Sequence, residues 1–359
     1  NRTRAQPKLR AARRRHPSAF RALPGDRRLM PMLGYFGPEG TFTHQALLSV
    51  SEDEATPFST VAAALDAVRA EEIDAAMVPI ENSVEGSVSA TIDNLGSLDA
   101  PRLQIMQEVL VEVTFDLCAR PGTTLDQVHR IITHPHAAAQ VRDWLSLHLP
   151  DAEVIERGST AAAAQAVSDP DSGFDAAVCA PIAGRLYGLV PLATDIADND
   201  AAVTRFVLVG RPGRPALATG ADKTTLVAYM RHDEPGALLS ILQQFAVRGV
   251  NLCRIESRPT KTTLGNYCFN MDAEGHLDDF RVAAALMGLK RVCKDVIFLG
   301  SYARADQQLP NVPVGAKDSD YRAAGAWLEG LGGNMIINAP GSTSASNSDP
   351  DPTRSPSNS

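Results

Sequence analysis

From Met32 onward one unit recurs: a short apolar run, a polar corner, then residues with helical spacing. Leu33-Gly34-Tyr35-Phe36 runs into Gly37-Pro38-Glu39-Gly40-Thr41 and a helical stretch through Gln45-Ala46-Leu47-Leu48. Ala75 to Ile80 runs into Glu81-Asn82-Ser83-Val84-Glu85-Gly86-Ser87, then a helix through Ile92 and Leu95. The pattern returns at Ile131-Ile132, at Val154-Ile155 before Ser159-Thr160, and at Ala176 to Cys179 before Ala180-Pro181. An apolar strand followed by a one-faced helix buries its surface when helices cover a sheet, so the reading is an α/β architecture with largely parallel strands.

After residue 210 the rhythm changes. Residues 211–222, opening Arg211-Pro212-Gly213-Arg214-Pro215, read as a linker. Beyond it come a strand at Thr224 to Met230, a helix at Ala237 to Arg248 and strands at Leu252 to Ser257 and Gly265 to Met271. A helix at Asp279 to Lys290 and a strand at Asp295 to Tyr302 complete the series. Leu238, Leu239, Leu242 and Phe245 are expected on one face of the first helix. The order βαββαβ is the ferredoxin-like arrangement. A short helix around Tyr321 to Leu328 is expected, and from Gly330 on the Gly-, Ser-, Asn- and Pro-rich tail is expected to be disordered.

Charge and composition close off several function classes. Net charge is −8, and residues 1–31 carry 10 Lys/Arg against one Asp. The body is therefore markedly acidic, which argues against nucleic-acid binding. The basic arm lacks an apolar segment and reads as a disordered extension rather than a secretory signal. No apolar run is long enough for a membrane span. The five cysteines lack metal or disulfide spacing, which suits a reducing cytoplasm. His134 and His136 flank Pro135 without an evident third ligand and read as cap or surface residues, so no metal is expected.

Three corners, Gly37 to Thr43, Glu81 to Ser87 and Ser159-Thr160-Ala161, place N–H groups at helix starts. At the carboxyl edges of parallel strands such corners commonly share a crevice, here one suited to a small anion. There is no GxGxxG and no P-loop, so no nucleotide is expected. Thr204-Arg205-Phe206 follows Asp195, Asp198 and Asp200 and leads into Val207-Leu208-Val209-Gly210. A hydroxyl and a guanidinium at a strand's lip form the candidate reacting centre.

Gly37-Pro38-Glu39-Gly40-Thr41-Phe42, Pro79-Ile80-Glu81-Asn82-Ser83 with Gly86, Ser159-Thr160, and Thr204-Arg205-Phe206 resemble, in order, the motifs of the prephenate dehydratase family. The βαββαβ unit resembles that family's ACT regulatory domain, with Gly236-Ala237-Leu238-Leu239 and Glu256-Ser257-Arg258-Pro259 in its effector-binding signatures. The resemblance runs from about residue 32 to 304. It implies a monofunctional enzyme with a two-lobed, periplasmic-binding-protein-like catalytic domain (32–210), a linker (211–222), a ferredoxin-like ACT domain (223–304) and a mostly disordered tail (305–359).

The resemblance also implies roles. Thr204 is the donor to a leaving hydroxyl, Arg205 grips a substrate carboxylate, and Phe206 packs beneath them. Gly40, Thr41, Glu81, Asn82, Ser83, Gly86, Ser159 and Thr160 hold prephenate. Gly236, Ala237, Leu238, Leu239, Asn251, Glu256, Ser257 and Arg258 hold L-phenylalanine as feedback inhibitor, between ACT domains paired in a homodimer or homotetramer. No cofactor is implied, because aromatisation drives the reaction. Arogenate dehydratase and a non-catalytic amino-acid sensor are the alternatives.

Overall fold

The computed structural model describes residues 31–84, 86–199, 202–260 and 267–333. The first lobe contains β1 (Leu33–Phe36), α1 (Phe42–Leu48), β2 (Ala55–Phe58), α2 (Val61–Arg69), β3 (Ala75–Asn82), β4 (Gly86–Ser87), α3 (Ser89–Leu95) and β5 (Gln104–Glu112). The second lobe holds β6 (Asp116–Ala119), β7 (Arg130–Thr133), α4 (Pro135–Gln140), α5 (Arg142–His148) and β8 (Glu153–Glu156). It continues with α6 (Thr160–Ser168), β9 (Ala176–Cys179), α7 (Pro181–Leu186) and β10 (Val190–Ala193). The chain then returns to the first sheet as β11 (Val203–Gly210).

The first sheet has the order β2-β1-β3-β11-β5, with β4 on β3, and the second the order β10-β6-β9-β7-β8. Within them β2-β1-β3 and β8-β7-β9 are parallel, while β11, β6 and β10 run antiparallel to their neighbours. The expectation of largely parallel strands is thus met only in the two cores. The cause is the double crossing between lobes. A chain returning from the second lobe enters β11 at the edge where β3 ends, so it must run the other way.

This topology fixes the cleft. Thr204 at the start of β11 pairs with Asn82 at the end of β3, and Val203 with Glu112 at the end of β5. In the second sheet Asp116 at the start of β6 pairs with Cys179 at the end of β9. The chain therefore leaves β5 and enters β11 at the carboxyl edge of the first parallel core, and enters β6 at that of the second, the edges that carry the polar corners.

The C-terminal unit comprises β12 (Asp222–Tyr229), α8 (Ala237–Ala246), β13 (Leu252–Pro259), β14 (Tyr267–Glu274), α9 (Phe280–Val292) and β15 (Asp295–Ala303). Its antiparallel sheet has the order β13-β14-β12-β15, the ferredoxin-like order expected of βαββαβ. One face packs Leu226, Ala228 and Met271 against Ile241 and Phe245 of α8 and Val282 of α9. The other face lays Val227, Ile297, Leu299 and Tyr302 on Ile105, Val207 and Val209 of the first lobe. Each such buried aliphatic side chain contributes about 1.5–3 kcal/mol relative to exposure. At Gly300 (φ 138°) a Cβ would come within 2.3 Å of the Ile105 carbonyl oxygen, so backbone lies directly on backbone across this seam.

The helix expected near Tyr321 is α10 (Asp318–Gly330). Tyr321 stacks on Phe280 of α9 with ring centroids 6.1 Å apart, and Asp318 accepts a hydrogen bond from the Phe280 N–H at 3.1 Å. The expected short helix is thus docked on α9 through Asp318 and Tyr321, while Leu309 and Val314 before it are 77% and 100% exposed. The expected disorder of 1–30 and of 334–359 lies outside the described residues. Among the described residues, no helix is long and apolar enough to cross a membrane.

Candidate active site

Thr204 is almost fully buried, with 9% of its surface exposed, at the lip of β11. Its Oγ1 accepts a hydrogen bond from Asn82 Nδ2 at 2.8 Å. Asn82 Oδ1 accepts from the Val84 N–H at 2.8 Å, which fixes which end of the amide faces Thr204. With one lone pair taken by Asn82, the threonine keeps its own O–H proton for a donor bond into the cleft. Ser83 stitches the same lip: its Oγ accepts from the Val203 N–H and its N–H donates to the Val203 carbonyl, both at 2.9 Å. Asn82, Ser83 and Thr204, far apart in sequence, are therefore brought together as expected.

Arg205 is not part of that group. Strand residues alternate in facing, and Thr204 sits opposite Val111 on the α1 side while Arg205 points to the C-terminal unit. Its Nε donates to Glu108 at 2.7 Å, Nη1 to Asp272 at 2.5 Å and Nη2 to the Tyr302 hydroxyl at 2.7 Å. Burial works against the charged form, yet Asp272, Tyr302 and Glu108 hold the guanidinium pKa well above its ordinary value. The carboxylate grip expected of Arg205 is thus a correction: the protein's own carboxylates occupy it. Glu81, its cross-strand partner, faces the same way and lies 3.5 Å from Nη1, at the exposed rim of this ion network. Phe206 is 2% exposed and packs among Tyr35, Leu47 and Leu208.

The remaining first-lobe candidates form a corner at the lobe boundary. Gly40 (φ 83°) lies so close to α7 that a Cβ would sit 3.3 Å from Ala183. Thr41 caps α1: its Oγ1 accepts from the His44 N–H at 3.3 Å and donates to the Pro38 carbonyl at 2.9 Å. Gly86 (φ 83°) is exposed and pairs with Asn82 in the short β4 ladder. In the second lobe Ser159 caps α6, accepting from the Ala162 N–H at 3.1 Å, and Thr160 opens that helix. His134 caps α4 by accepting from the His136 N–H, in keeping with a cap role. Among the described residues no His, Cys, Asp or Glu cluster could hold a metal ion.

A cavity of about 530 Å³ opens on the C-terminal unit, lined by Gly236, Ala237, Leu238, Leu239, Leu242 and Ser257, with Phe269 beneath. Three expected effector residues lie elsewhere. Glu256 and Arg258 alternate with Ser257 along β13 and face inward, Glu256 to Arg254 at 3.2 Å and Arg258 to Asp93 of α3 at 3.3 Å. Asn251 follows the far end of α8, about 15 Å of helix away from Gly236. The helix face also differs from expectation. Ile241 and Phe245, four apart, point into the core, whereas Leu238 and Leu239 are 39% and 58% exposed.

Residues 33–214 match the model of the family described as prephenate dehydratase. A prephenate dehydratase of Mycolicibacterium vanbaalenii is 46% identical over 318 residues, covering 84% of this chain and 98% of that protein. This chain belongs to the prephenate dehydratase family. It is an enzyme family, and the fold agrees: a crystal structure of prephenate dehydratase from Arthrobacter aurescens in complex with L-Phe is 50% identical, with a TM-score of 0.79 over 84% of this chain and 99% of that one. A second solved structure, described as a novel type of quorum quenching acylase, is 30% identical, with a TM-score of 0.70 over 77% of this chain and 100% of that one.

Beside these candidates lie polar residues that sequence reasoning did not pick out. Tyr35 stacks on His44 at 4.8 Å, and burial together with Glu39 and Tyr187 pushes the Tyr35 hydroxyl up to about 12. The His44 imidazole is pulled down by burial, and its Nδ1 accepts from the Gly40 N–H at 3.2 Å. Across the crossing, Asp116 is 8% exposed, accepts from the Asp195 N–H at 3.0 Å and is pushed up by burial. Tyr35 and Asp116 sit within apolar runs, where the local pattern reads as core and gives no polar signal.

Proposed function

We propose that this protein is a prephenate dehydratase that converts prephenate to phenylpyruvate, with loss of the ring hydroxyl and CO2, in L-phenylalanine biosynthesis. The observation that carries the reading is the Asn82–Thr204 hydrogen bond in a family of that activity. The departing carboxylate leaves its bonding electrons to the ring, the C4–O bond breaks, and hydroxide takes up a proton to become water. Thr204, its lone pair occupied by Asn82, offers a hydrogen bond where negative charge grows on the leaving oxygen. An alcohol is too weak an acid to give up its proton unaided, so the threonine stabilises or relays rather than supplies it. Arg205 being engaged, the start of α6 at Ser159-Thr160 is the favoured anchor for a substrate carboxylate. An acylase would need a base to activate a nucleophile. The amide of Asn82, which donates to Thr204, cannot fill that role, and this favours dehydration.

The L-phenylalanine bound in the Arthrobacter aurescens relative suggests the same effector here. The C-terminal unit is read as an ACT domain spanning 223–304 and following a linker at 211–222, with the catalytic domain at 32–210. Its cavity at Gly236 to Leu239 offers helix N–H groups for a carboxylate and leucines for an aromatic ring. β13 is a sheet edge with Ile255 45% exposed, which supports pairing of two copies there, as a homodimer or homotetramer. A cytoplasmic location fits the unpaired cysteines. The test is direct: purified protein is incubated with prephenate, with phenylpyruvate followed by its absorbance in alkali, and separately with arogenate, with phenylalanine followed by chromatography. Formation of phenylpyruvate from prephenate, suppressed by L-phenylalanine, is expected. Turnover of arogenate alone, or of neither, would overturn the reading.

A further inference from the structure

We propose that Arg205 is a positioning residue through which Asp272 and Tyr302 of the C-terminal unit hold the lip of β11, and with it Thr204, in place. The proposal rests on the reading of Thr204 as the donor to the leaving hydroxyl. It begins from an irregularity: the register between β11 and β3 shifts between Arg205 and Phe206, one residue inside the lip. Arg205 pairs with Glu81 and Phe206 with Pro79, so Ile80 is the extra residue and β3 bends there, while the β11–β5 ladder stays regular from Val203 to Leu208. On the β3 side, Ser83 and the end of the ladder hold the lip, and a side chain can add a further anchor.

Arg205 supplies one. Its nitrogens reach acceptors on three other strands: Glu108 on β5, Asp272 on β14 and Tyr302 on β15. The guanidinium is planar, so three fixed acceptors set both its place and its tilt. Each acceptor is itself held. Asp272 is fully buried and also accepts from Arg254 Nε at 3.0 Å and Thr225 Oγ1 at 2.7 Å. The Tyr302 hydroxyl is 2.5 Å from Thr225 Oγ1. Glu108 accepts from Lys223 Nζ at 2.8 Å and the Ala305 N–H at 2.9 Å. The C-terminal unit thus provides most of the frame around a side chain whose backbone neighbour is the proposed donor. Small displacements of a reacting group cost rate steeply, about 10²-fold for 1 Å.

A buried ion cluster that only joined the two units would lower stability when cut and leave the chemistry of folded molecules alone. A double-mutant cycle separates these roles. Tyr302→Phe keeps the ring and removes one acceptor, and Asp272→Asn is the harsher variant. In the full chain Tyr302→Phe is expected to lower kcat about tenfold with KM within about twofold, and in the Thr204→Ala background to change kcat by less than about twofold, because it acts through that hydroxyl. Amide hydrogen exchange, which needs no substrate, should accelerate at Val203 to Arg205 in Tyr302→Phe and Asp272→Asn, while β9 and α6 of the second lobe keep their protection. Equal losses of kcat in both backgrounds, or unchanged exchange at Val203 to Arg205, would overturn the proposal. An inactive parent protein would count against the dehydratase reading instead, and the exchange measurement would then decide the positioning role by itself.

Discussion

Asn82 Nδ2 lies 2.8 Å from Thr204 Oγ1, so an amide at the end of β3 orients a hydroxyl at the start of β11. The two residues are 122 apart in sequence. Only the return of the chain from the second lobe makes them neighbours, and the chemistry proposed above depends on the direction of that bond.

Replacing Thr204 by Ala is expected to lower kcat about 10²–10³-fold, the scale for removing one donor to a developing negative charge. Thr204→Ser should retain much of the rate. Asn82→Ala leaves the hydroxyl free to turn and should lower kcat about tenfold, the equivalent of one ordinary hydrogen bond. Asn82→Asp should be worse than Asn82→Ala, since a carboxylate would capture the threonine proton. Steady-state kinetics with prephenate checks the order, and an Asp variant faster than the Ala variant would reverse the assigned bond direction.

Ligand entry to the C-terminal cavity should be separable from catalysis. Nothing lies within 4 Å of a Cβ placed on Gly236, so Gly236→Val projects a side chain into open cavity space, at a cost in backbone strain because φ is 88°. Ser257→Val removes the hydroxyl on the opposite wall without that strain. Both variants should keep kcat near the parent value and lose binding of L-phenylalanine by calorimetry. Undiminished inhibition in both would place the effector elsewhere.

Asp272 gives stability a defined acid dependence. Burial pushes its carboxyl upward, but Arg205, Arg254 and Lys223 outweigh this and hold it well below the usual carboxylate range. Its contribution is therefore complete above the unfolded pKa of about 4 and is lost as pH falls towards the folded value, at up to about 1.4 kcal/mol per pH unit. Asp272→Asn should cost about 3–5 kcal/mol near neutrality, since it leaves buried cations short of a partner. That gap should narrow steadily between pH 4 and pH 2 in denaturant titrations. A gap independent of pH would mean that the carboxylate is not held ionised by these cations.

Ending the chain after Gly210 should not yield a well-behaved catalytic fragment. It uncovers Leu103, Ile105, Val207 and Val209, each at most 2% exposed in the whole chain, and strips Arg205 of Asp272 and Tyr302. Aggregation or loss of the near-UV circular dichroism signal is expected. A monomeric fragment with a cooperative melt and parental kcat would show that the seam is dispensable.

The architecture was legible where local pattern and burial agree. The strand runs at Leu33, Ala75 and Ala176 and the βαββαβ order each carry an apolar periodicity that only a covered sheet can satisfy. The site was half legible. Asn82, Ser83 and Thr204 stand out as polar residues at strand ends, but adjacency misled at Arg205, because neighbours on a strand face opposite ways. The same period of two divides Ser257 from Glu256 and Arg258. No local signal could disclose Asp272 or Tyr302 as partners of Arg205, since they lie 67 and 97 residues away within runs that read as core. Leu238 and Leu239 read as helix core by type, yet Ile241 and Phe245 fill that face and leave the leucines to the cavity.

At Gly300 the β15 backbone rests on the Ile105 carbonyl of β5, where even one methyl group would collide. A sensor hung from a tether can be exchanged among hosts, because each side keeps a finished surface of its own. Here neither side is finished alone: the C-terminal unit must bring a glycine at that place, and the first lobe must present a bare strand to receive it. Grafting this unit onto an unrelated enzyme should fail unless β5 travels with it, so the two parts are best regarded as a single heritable piece.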